Sequence, residues 1–361
     1  MIAAGGTGGH VYPAVAVARE LAALAPGRPL TFLGGAAGLE ARVVPRAGFR
    51  FLAVPSGPWR RSRPWTAVRG AALALQGAVR ARAVLRAERA SAVFSTGGFA
   101  AAPTLIAAAA TGIPIVLHEP NEVPGLVTRL FARVAARVTT GSAGAAARIG
   151  GARVLVTGVP VRASLLAGDR EADRRALGVP PEAFVVLVLG GSQGASAIND
   201  AVAAALPLLA DAPAPIVLVW ACGRGGEAAA TAAAARFPGR ARVHAYLDDI
   251  GGPLRSADAA VARAGASTVA ELMAGGVPAI LVPYPHAAAN HQWHNASALA
   301  REGAALLLEE PRLDGRRLAE LLHALAADRG RREAMAERAR ASGRPGAARA
   351  VAEAVLEAVA C

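Results

Sequence analysis

Three glycine-rich segments and one histidine carry the chemistry available to this sequence. Gly5-Gly6-Thr7-Gly8-Gly9-His10 follows a short apolar run and leads into Val11-Tyr12-Pro13, the pattern of a strand turning into a helix. Glycines at such a turn let backbone N–H groups approach a ligand, and a helix N-terminus favours an anion or a polar oxygen. An imidazole directly behind that loop is the side-chain type that titrates near neutrality, so His10 is a candidate general base. The dinucleotide fingerprint G-x-G-x-x-G, started at Gly6, needs a glycine where Val11 stands, and NAD binding is therefore not expected.

The second segment, Gly190-Gly191-Ser192-Gln193-Gly194, has two readings. It matches the G-x-S-x-G nucleophile elbow of serine hydrolases, and Asp248 or Asp258 followed by His286 or His323 supplies the chain order of a triad. It equally suits a loop whose amides and Ser192 hydroxyl hold a diphosphate at a helix N-terminus. Only the diphosphate reading also gives the first loop something to do, and it is preferred. The third segment, Arg263 to Glu271, again joins a strand to a helix. Thr268 and Glu271 have capping-box spacing, while a carboxylate beside a nucleotide site can instead accept the ribose hydroxyls. His118, at another strand end in His118-Glu119-Pro120-Asn121, reads as a structural or orienting residue. His286, His291 and His294 are spaced unlike any strong zinc signature, and the chain has no D-x-D pair, so neither a metal site nor another cofactor is expected.

These loops need rigid elements to hold them. The chain has 361 residues, enough for two cores, of which 54% are apolar and only 4% aromatic. Short apolar runs alternate with helical patterns throughout, the signature of parallel α/β units. In the first half these runs are Met1–Ala4, Leu30–Leu33, Ala92–Phe94, Ile113–Leu117 and Val154–Val156. In the second they are Phe184–Leu189, Ile216–Trp220, Val243–Tyr246, Ala259–Val261 and Ala279–Val282. Two doubly wound sheets are expected, in domains of residues 1–162 and 163–345, with the helical stretch 346–361 packing back on the first. Only four residues precede Gly5, which points to a chain start upstream of Met1.

Composition removes several classes. All 39 basic residues are arginine, so a Walker A lysine and Schiff-base chemistry are both impossible. Two cysteines, Cys222 and Cys361, fit a reducing compartment rather than a disulfide framework. No apolar run is long enough to span a bilayer, and no secretory signal is recognisable. The net charge of +13 lies wholly in residues 1–160, which hold 18 Arg against 5 acids. That half is expected to face an anionic membrane or a polyphosphate rather than nucleic acid. Within it, residues 59–89 combine Trp65, Val68, Ala72, Leu75 and Val79 at helical spacing with Arg60, Arg61, Arg63, Arg69, Arg80, Arg82, Arg86 and Arg89. This pattern suits either a membrane-surface helix or an ordinary helix with a solvated face.

In order, GGTGGHVYP (5–13), STGGFAAAP (95–103), HEPNEVPG (118–125), GGSQGASAIND (190–200), Asp248-Asp249, Arg263–Glu271 and NHQWHNA (290–296) resemble the MurG family. These are the UDP-N-acetylglucosamine–N-acetylmuramyl-(pentapeptide) pyrophosphoryl-undecaprenol N-acetylglucosamine transferases of cell-wall peptidoglycan synthesis. The resemblance spans nearly the whole chain and implies a GT-B fold, two Rossmann-like domains facing a cleft. It implies UDP-N-acetylglucosamine on the C-terminal domain. There Leu247 would contact uracil through its backbone and Ser192 the diphosphate. Ala266, Ser267, Thr268, Val269 and Ala270 would loop around the diphosphate, with Glu271 on the ribose and Gln292 on the sugar. From the first domain Thr7, Gly8, Gly9 and Asn121 would reach the donor, and Arg162 would act from the hinge. His10 takes the general-base position for an inverting transfer to the 4-hydroxyl of a lipid-linked muramyl-pentapeptide. The family's place is the cytoplasmic face of the cell membrane, as a peripheral protein, in the service of cell shape and division. A sugar-nucleotide epimerase of related fold and a serine hydrolase are the rival expectations. This sequence departs from the family pattern in Phe99, where tyrosine is common, and in arginine wherever lysine is usual.

Overall fold

A computed structural model describes the chain except for residues 58–63, 152, 192–193, 211, 213–214 and 361, and except for the side chains of 64–69 and 360. The expectations placed on Arg60, Arg61, Arg63, Trp65, Val68 and Arg69 thus concern side chains outside the described residues. The chain divides into two compact units, Met1–Arg162 with Pro345–Cys361, and Ala163–Arg344.

The first unit holds a seven-stranded sheet of β1 (Ile2–Ala4), β2 (Thr31–Gly34), β3 (Arg50–Ala53), β4 (Val93–Gly97), β5 (Ile115–Glu119), β6 (Arg137–Thr140) and β7 (Val154–Val156). Its spatial order is β3-β2-β1-β4-β5-β6-β7, with every pair parallel. The second unit holds six strands, β8 (Phe184–Leu189), β9 (Ile216–Ala221), β10 (Ala241–His244), β11 (Ala259–Ala262), β12 (Ala279–Leu281) and β13 (Ala305–Leu307). Their order is β10-β9-β8-β11-β12-β13, again all parallel.

In each sheet the winding reverses beside the first strand, between β1 and β4 and between β8 and β11. The loops leaving the two strands of such a pair turn to opposite faces, and ligands of doubly wound sheets bind in the crevice left at the carboxyl ends. The composition explains why these strands are central. Phe184–Leu189 is apolar at all six positions and buried at all six, as a strand covered by helices on both faces must be. Ile2, Ala3 and Ala4 are likewise buried. The small Ala and Val side chains of both cores let helices lie close to the sheets, and the few large groups are fully enclosed, Trp220 and Phe32 among them.

The structure adds three strands that the apolar runs do not mark. β3 and β13 are sheet edges and only partly covered, so neither needs a continuous apolar run. β6 is internal yet reads Arg-Val-Thr-Thr, because its threonines bond to neighbouring chain segments. The edge strand β10 lies two residues earlier than the sequence pattern places it, at Ala241–His244.

The helix Ala347–Ala360 belongs to the first unit. Its Val351, Ala352, Val355 and Ala358 are buried in one cluster with Val11, Ala14, Val15 and Ala18 of the helix Gly8–Leu24. Alanines on both sides bring the two helices into close contact. Among the described residues no helix is long and apolar enough to cross a membrane.

Candidate active site

The loop Gly5–Gly9 leaves β1 at the reversal of the first sheet, and His10 lies in the first turn of the helix Gly8–Leu24. The ring is held from β4: its Nδ1 is 2.7 Å from the main-chain carbonyl oxygen of Thr96. A carbonyl only accepts, so Nδ1 donates its proton to Thr96, and in the neutral ring Nε2 is then the basic nitrogen. Thr96 returns the tie by donating its hydroxyl to the His10 carbonyl at 2.8 Å. Behind the ring, Gly97 and Gly98 both have positive φ, and a Cβ on Gly98 would overlap the carbonyl of Gly5 and come within 3.1 Å of His10 Cδ2. The second glycine pair therefore exists to let β4 approach the first loop. Phe99, which follows it, lies against Gly6.

His118 lies on β5, wholly buried, one strand beyond β4. Thr139 Oγ1 donates to the Leu117 carbonyl, so at 2.9 Å it accepts from His118 Nδ1, while Nε2 has no partner. Burial, with a smaller contribution from His10, pushes the His118 pKa from 6.5 down to about 3. This imidazole is neutral when folded, whereas an unfolded chain protonates it below pH 6.5. Its contribution to stability is therefore complete above pH 6.5 and is lost as the pH falls towards 3, at up to about 1.4 kcal/mol per pH unit. Urea midpoints measured from pH 7 to 4.5 are expected to fall less steeply in a His118→Phe protein, by about one proton's worth of slope. Equal slopes would contradict the assignment.

Asn121 follows β5 and is positioned by a residue whose role the sequence does not announce. The buried carboxylate of Glu119 accepts from the Asn121 main chain at 3.0 Å and side chain at 3.1 Å, from Gly125 N at 2.8 Å and from Thr128 Oγ1 at 2.6 Å. Four donors on one acid fix the whole 119–128 turn. The only available cue is an acid at a strand end before Pro-Asn and a later Gly. Thr7 is exposed, Gly8 and Gly9 are half-buried, and Arg162 stacks its guanidinium 5.0 Å from the Tyr12 ring centroid, in the helix that carries His10.

In the second unit, Gly190 follows β8 and is fully buried. Gly194 has φ +79, and a Cβ on it would lie 2.8 Å from the Cys222 carbonyl. The helix Ser196–Leu209 that follows is tied to the end of β9 through Asn199, which accepts from Trp220 Nε1 at 3.0 Å and donates to the Cys222 carbonyl at 2.7 Å. Ser192 itself lies outside the described residues. The third loop leaves β11, the reversal partner of β8. Its helix spans Ala266–Gly275 with Gly265 as N-cap. The capping-box expectation is therefore corrected: Ser267 and Thr268 lie inside the first turn, and Gly265 offers no side chain to the amides. The helices Gly8–Leu24 and Ser196–Leu209 also lack a side-chain cap, while Ser142, Asp169, Asp314 and Asp328 cap helices elsewhere. At each reversal point a helix N-terminus turns its positive dipole end to the crevice, where an anionic ligand is favoured.

The other donor-side candidates gather around this loop. Ala266 and Glu271 are buried, Val269 packs on the core, and Ser267, Thr268 and Ala270 are half-buried. Arg263 braces the loop by donating to the carbonyls of Val282 and Pro283, pairing with Glu310 and stacking on Tyr284. Gln292 Oε1 accepts from Tyr284 N at 3.0 Å, which orients its side-chain amide. Asn295 Nδ2 ties the same helix to the Ala264 carbonyl at 3.1 Å. Leu247 is half-buried after β10. The imidazoles of His286, His291 and His294 do not converge: His291 Nδ1 meets the Ala288 carbonyl, His294 packs edge-on to Trp293 and His286 edge-on to Tyr284.

Of the two acids open to the hydrolase alternative, Asp258 is excluded. Asp258 precedes β11, at the end of the sheet opposite Gly190, and is occupied by Arg170, Arg174 and Val185 N.

Two parallel sheets, each with a glycine turn and uncapped helix N-termini at its reversal, and one poised imidazole, define an enzyme of the two-domain GT-B glycosyltransferase type. Residues 1–140 match the glycosyltransferase family 28 N-terminal domain and residues 185–351 the family 28 C-terminal domain. The UDP-N-acetylglucosamine–N-acetylmuramyl-(pentapeptide) pyrophosphoryl-undecaprenol N-acetylglucosamine transferase of Moorella thermoacetica is 39% identical, over 99% of this chain and 98% of that one. The protein of the same name from Nitratidesulfovibrio vulgaris Hildenborough is 41% identical, over 99% and 96%. The crystal structure of Acinetobacter baumannii MurG superposes with a TM-score of 0.75 at 28% identity, over 99% of this chain and 98% of that one. The chain belongs to glycosyltransferase family 28, among the MurG-type N-acetylglucosamine transferases.

Proposed function

We propose that this enzyme transfers N-acetylglucosamine from UDP-N-acetylglucosamine to the 4-hydroxyl of an undecaprenyl-diphospho-N-acetylmuramyl-pentapeptide, a step in making peptidoglycan. The observation that carries the reading is the orientation of His10, whose Nδ1 donates to Thr96, which makes Nε2 the basic nitrogen of the neutral ring. Nε2 takes the proton of the 4-hydroxyl. The oxygen attacks the anomeric carbon from the face opposite the diphosphate, the bond from that carbon to the UDP oxygen breaks, and UDP leaves with the electron pair. The product is inverted at the anomeric carbon.

The units divide this work. The helix N-termini at 195–196 and 265–266 meet the charge growing on UDP, as preorganised dipoles do without a bound cation. Ser192 adds its hydroxyl to the diphosphate, Ala266 to Ala270 surround it, Glu271 accepts from the ribose, Leu247 receives the uracil and Gln292 meets the sugar. Thr7, Gly8, Gly9, Asn121 and Arg162 complete the donor contacts from the first unit.

That unit also carries the features of a protein held at the cytoplasmic face of an anionic membrane. On the helix Pro64–Ala87, Leu75 and Val79 are 66% and 67% exposed beside the exposed Arg80, Arg82 and Arg86. Leu130 and Val134 are exposed beside Arg129 and Arg133. Apolar tips flanked by guanidiniums suit peripheral attachment to anionic lipid.

The purified protein should release UDP only when UDP-N-acetylglucosamine and the lipid-linked muramyl acceptor are both supplied. UDP release from the donor alone, or its conversion to an epimer without acceptor, would overturn the reading.

A further inference from the structure

We infer that Glu40 is a positioning residue for the transfer reaction, acting on His10 through the first glycine loop; this deepens the proposed function and rests on it. Glu40 begins the helix Glu40–Arg46, after the loop that leaves β2, and is 1% exposed. Its carboxylate is split between two loops. One oxygen accepts from Gly6 N at 3.1 Å and the other from Gly35 N at 2.9 Å. Among the described residues no cation pairs with it.

The surrounding sequence makes room for this one acid. A Cβ on Gly5 or Gly38 would overlap the carboxylate, one on Gly34 would lie 2.8 Å from its Cγ, and one on Gly35 would lie 3.3 Å from Oε1. Four glycines on two loops thus wrap a single buried side chain. A buried carboxylate is costly unless its partners are fixed, so an acid kept here serves a purpose that packing alone does not require. Its grip on Gly6 supplies one. Gly6 has φ +96, the left-handed turn through which β1 passes into the helix bearing His10. With the Gly6 amide pinned by Glu40 from the helix after β2 and the imidazole pinned by Thr96 from β4, the turn is held at both ends. Tolerances of this size matter, since about 1 Å of misplacement can cost on the order of a hundredfold in rate.

Glu40→Gln keeps the shape but turns an amino group towards one of the two N–H donors. Its turnover is expected to fall at least about tenfold while the KM for UDP-N-acetylglucosamine changes less than about threefold. Hydrogen exchange at the amides of residues 5–10 is expected to accelerate. A merely structural role would lower the melting temperature and leave turnover per folded molecule unchanged, and that result would overturn the inference. Should Glu40→Gln not fold, Gly38→Ala displaces the carboxylate without removing it, and its expected signature is the same kinetic split with faster exchange at 5–10. Wild-type turnover in that variant, alongside accelerated exchange, would show that the brace does not serve catalysis. Exchange reads the brace whether or not transfer occurs, so a wild-type protein without transferase activity would defeat the proposed function separately.

Discussion

A His10→Ala protein is expected to lose about 10²–10⁴-fold in turnover while still binding UDP and melting close to the wild-type temperature. The magnitude is that of a single positioned base. Stability should change little because the ring is half-buried and its principal tie is one hydrogen bond to a main-chain carbonyl, worth about 0.5–1.5 kcal/mol net. UDP binding is the control, since the helices Ser196–Leu209 and Ala266–Gly275 and the Gly190–Gly194 loop belong to the second unit. Calorimetric titration with UDP and a UDP-release assay together decide the matter. Near-normal turnover in a folded His10→Ala protein would remove the base from the mechanism.

Gly98→Ala should do comparable harm by another route. Gly98 holds φ 84 and ψ 153, a conformation essentially reserved for glycine, where a side chain costs about 1–3 kcal/mol. The added methyl would also overlap the Gly5 carbonyl and crowd His10 Cδ2. Main chain cannot rotate aside as a side-chain tip can, so the β4 turn or the first loop must shift. Loss of about 3 kcal/mol or more of stability and a fall in turnover of about a hundredfold are expected. Gly112→Ala is the comparison. Its φ is also positive, at +70, but a Cβ there meets nothing, so it should cost only about 1 kcal/mol and leave turnover intact. Equal melting temperatures for the two variants would refute the steric account.

Much of this was legible in the sequence, for identifiable reasons. Strands covered on both faces must be apolar throughout, so β8 and β9 stand out as unbroken runs. The loops at the reversal points need glycine for positive φ or close approach, so Gly5–Gly9 and Gly190–Gly194 stand out as well. What stayed hidden depends on partners distant in the chain. β3 and β13 pair on one side only and need no apolar run. Glu40 reads as the start of a helix, and nothing nearby discloses that it grips Gly6, 34 residues earlier. Thr96 orients His10 through its carbonyl, which every residue type possesses, so no pattern of side chains could reveal it. The capping box at Thr268–Glu271 misled for the opposite reason: local spacing fitted a cap that the helix, starting at Ala266, does not use.

The helix Ala347–Ala360 completes the core beneath Gly8–Leu24, yet it is synthesised only after the whole of the second unit. A ribosome that stalls anywhere in that stretch leaves a nascent chain whose histidine-bearing helix lacks one of its packing partners. Such a product would be sticky and poorly held, a substrate for chaperones and proteases rather than a half-competent transferase. Competence in this chain therefore arrives late, and all at once.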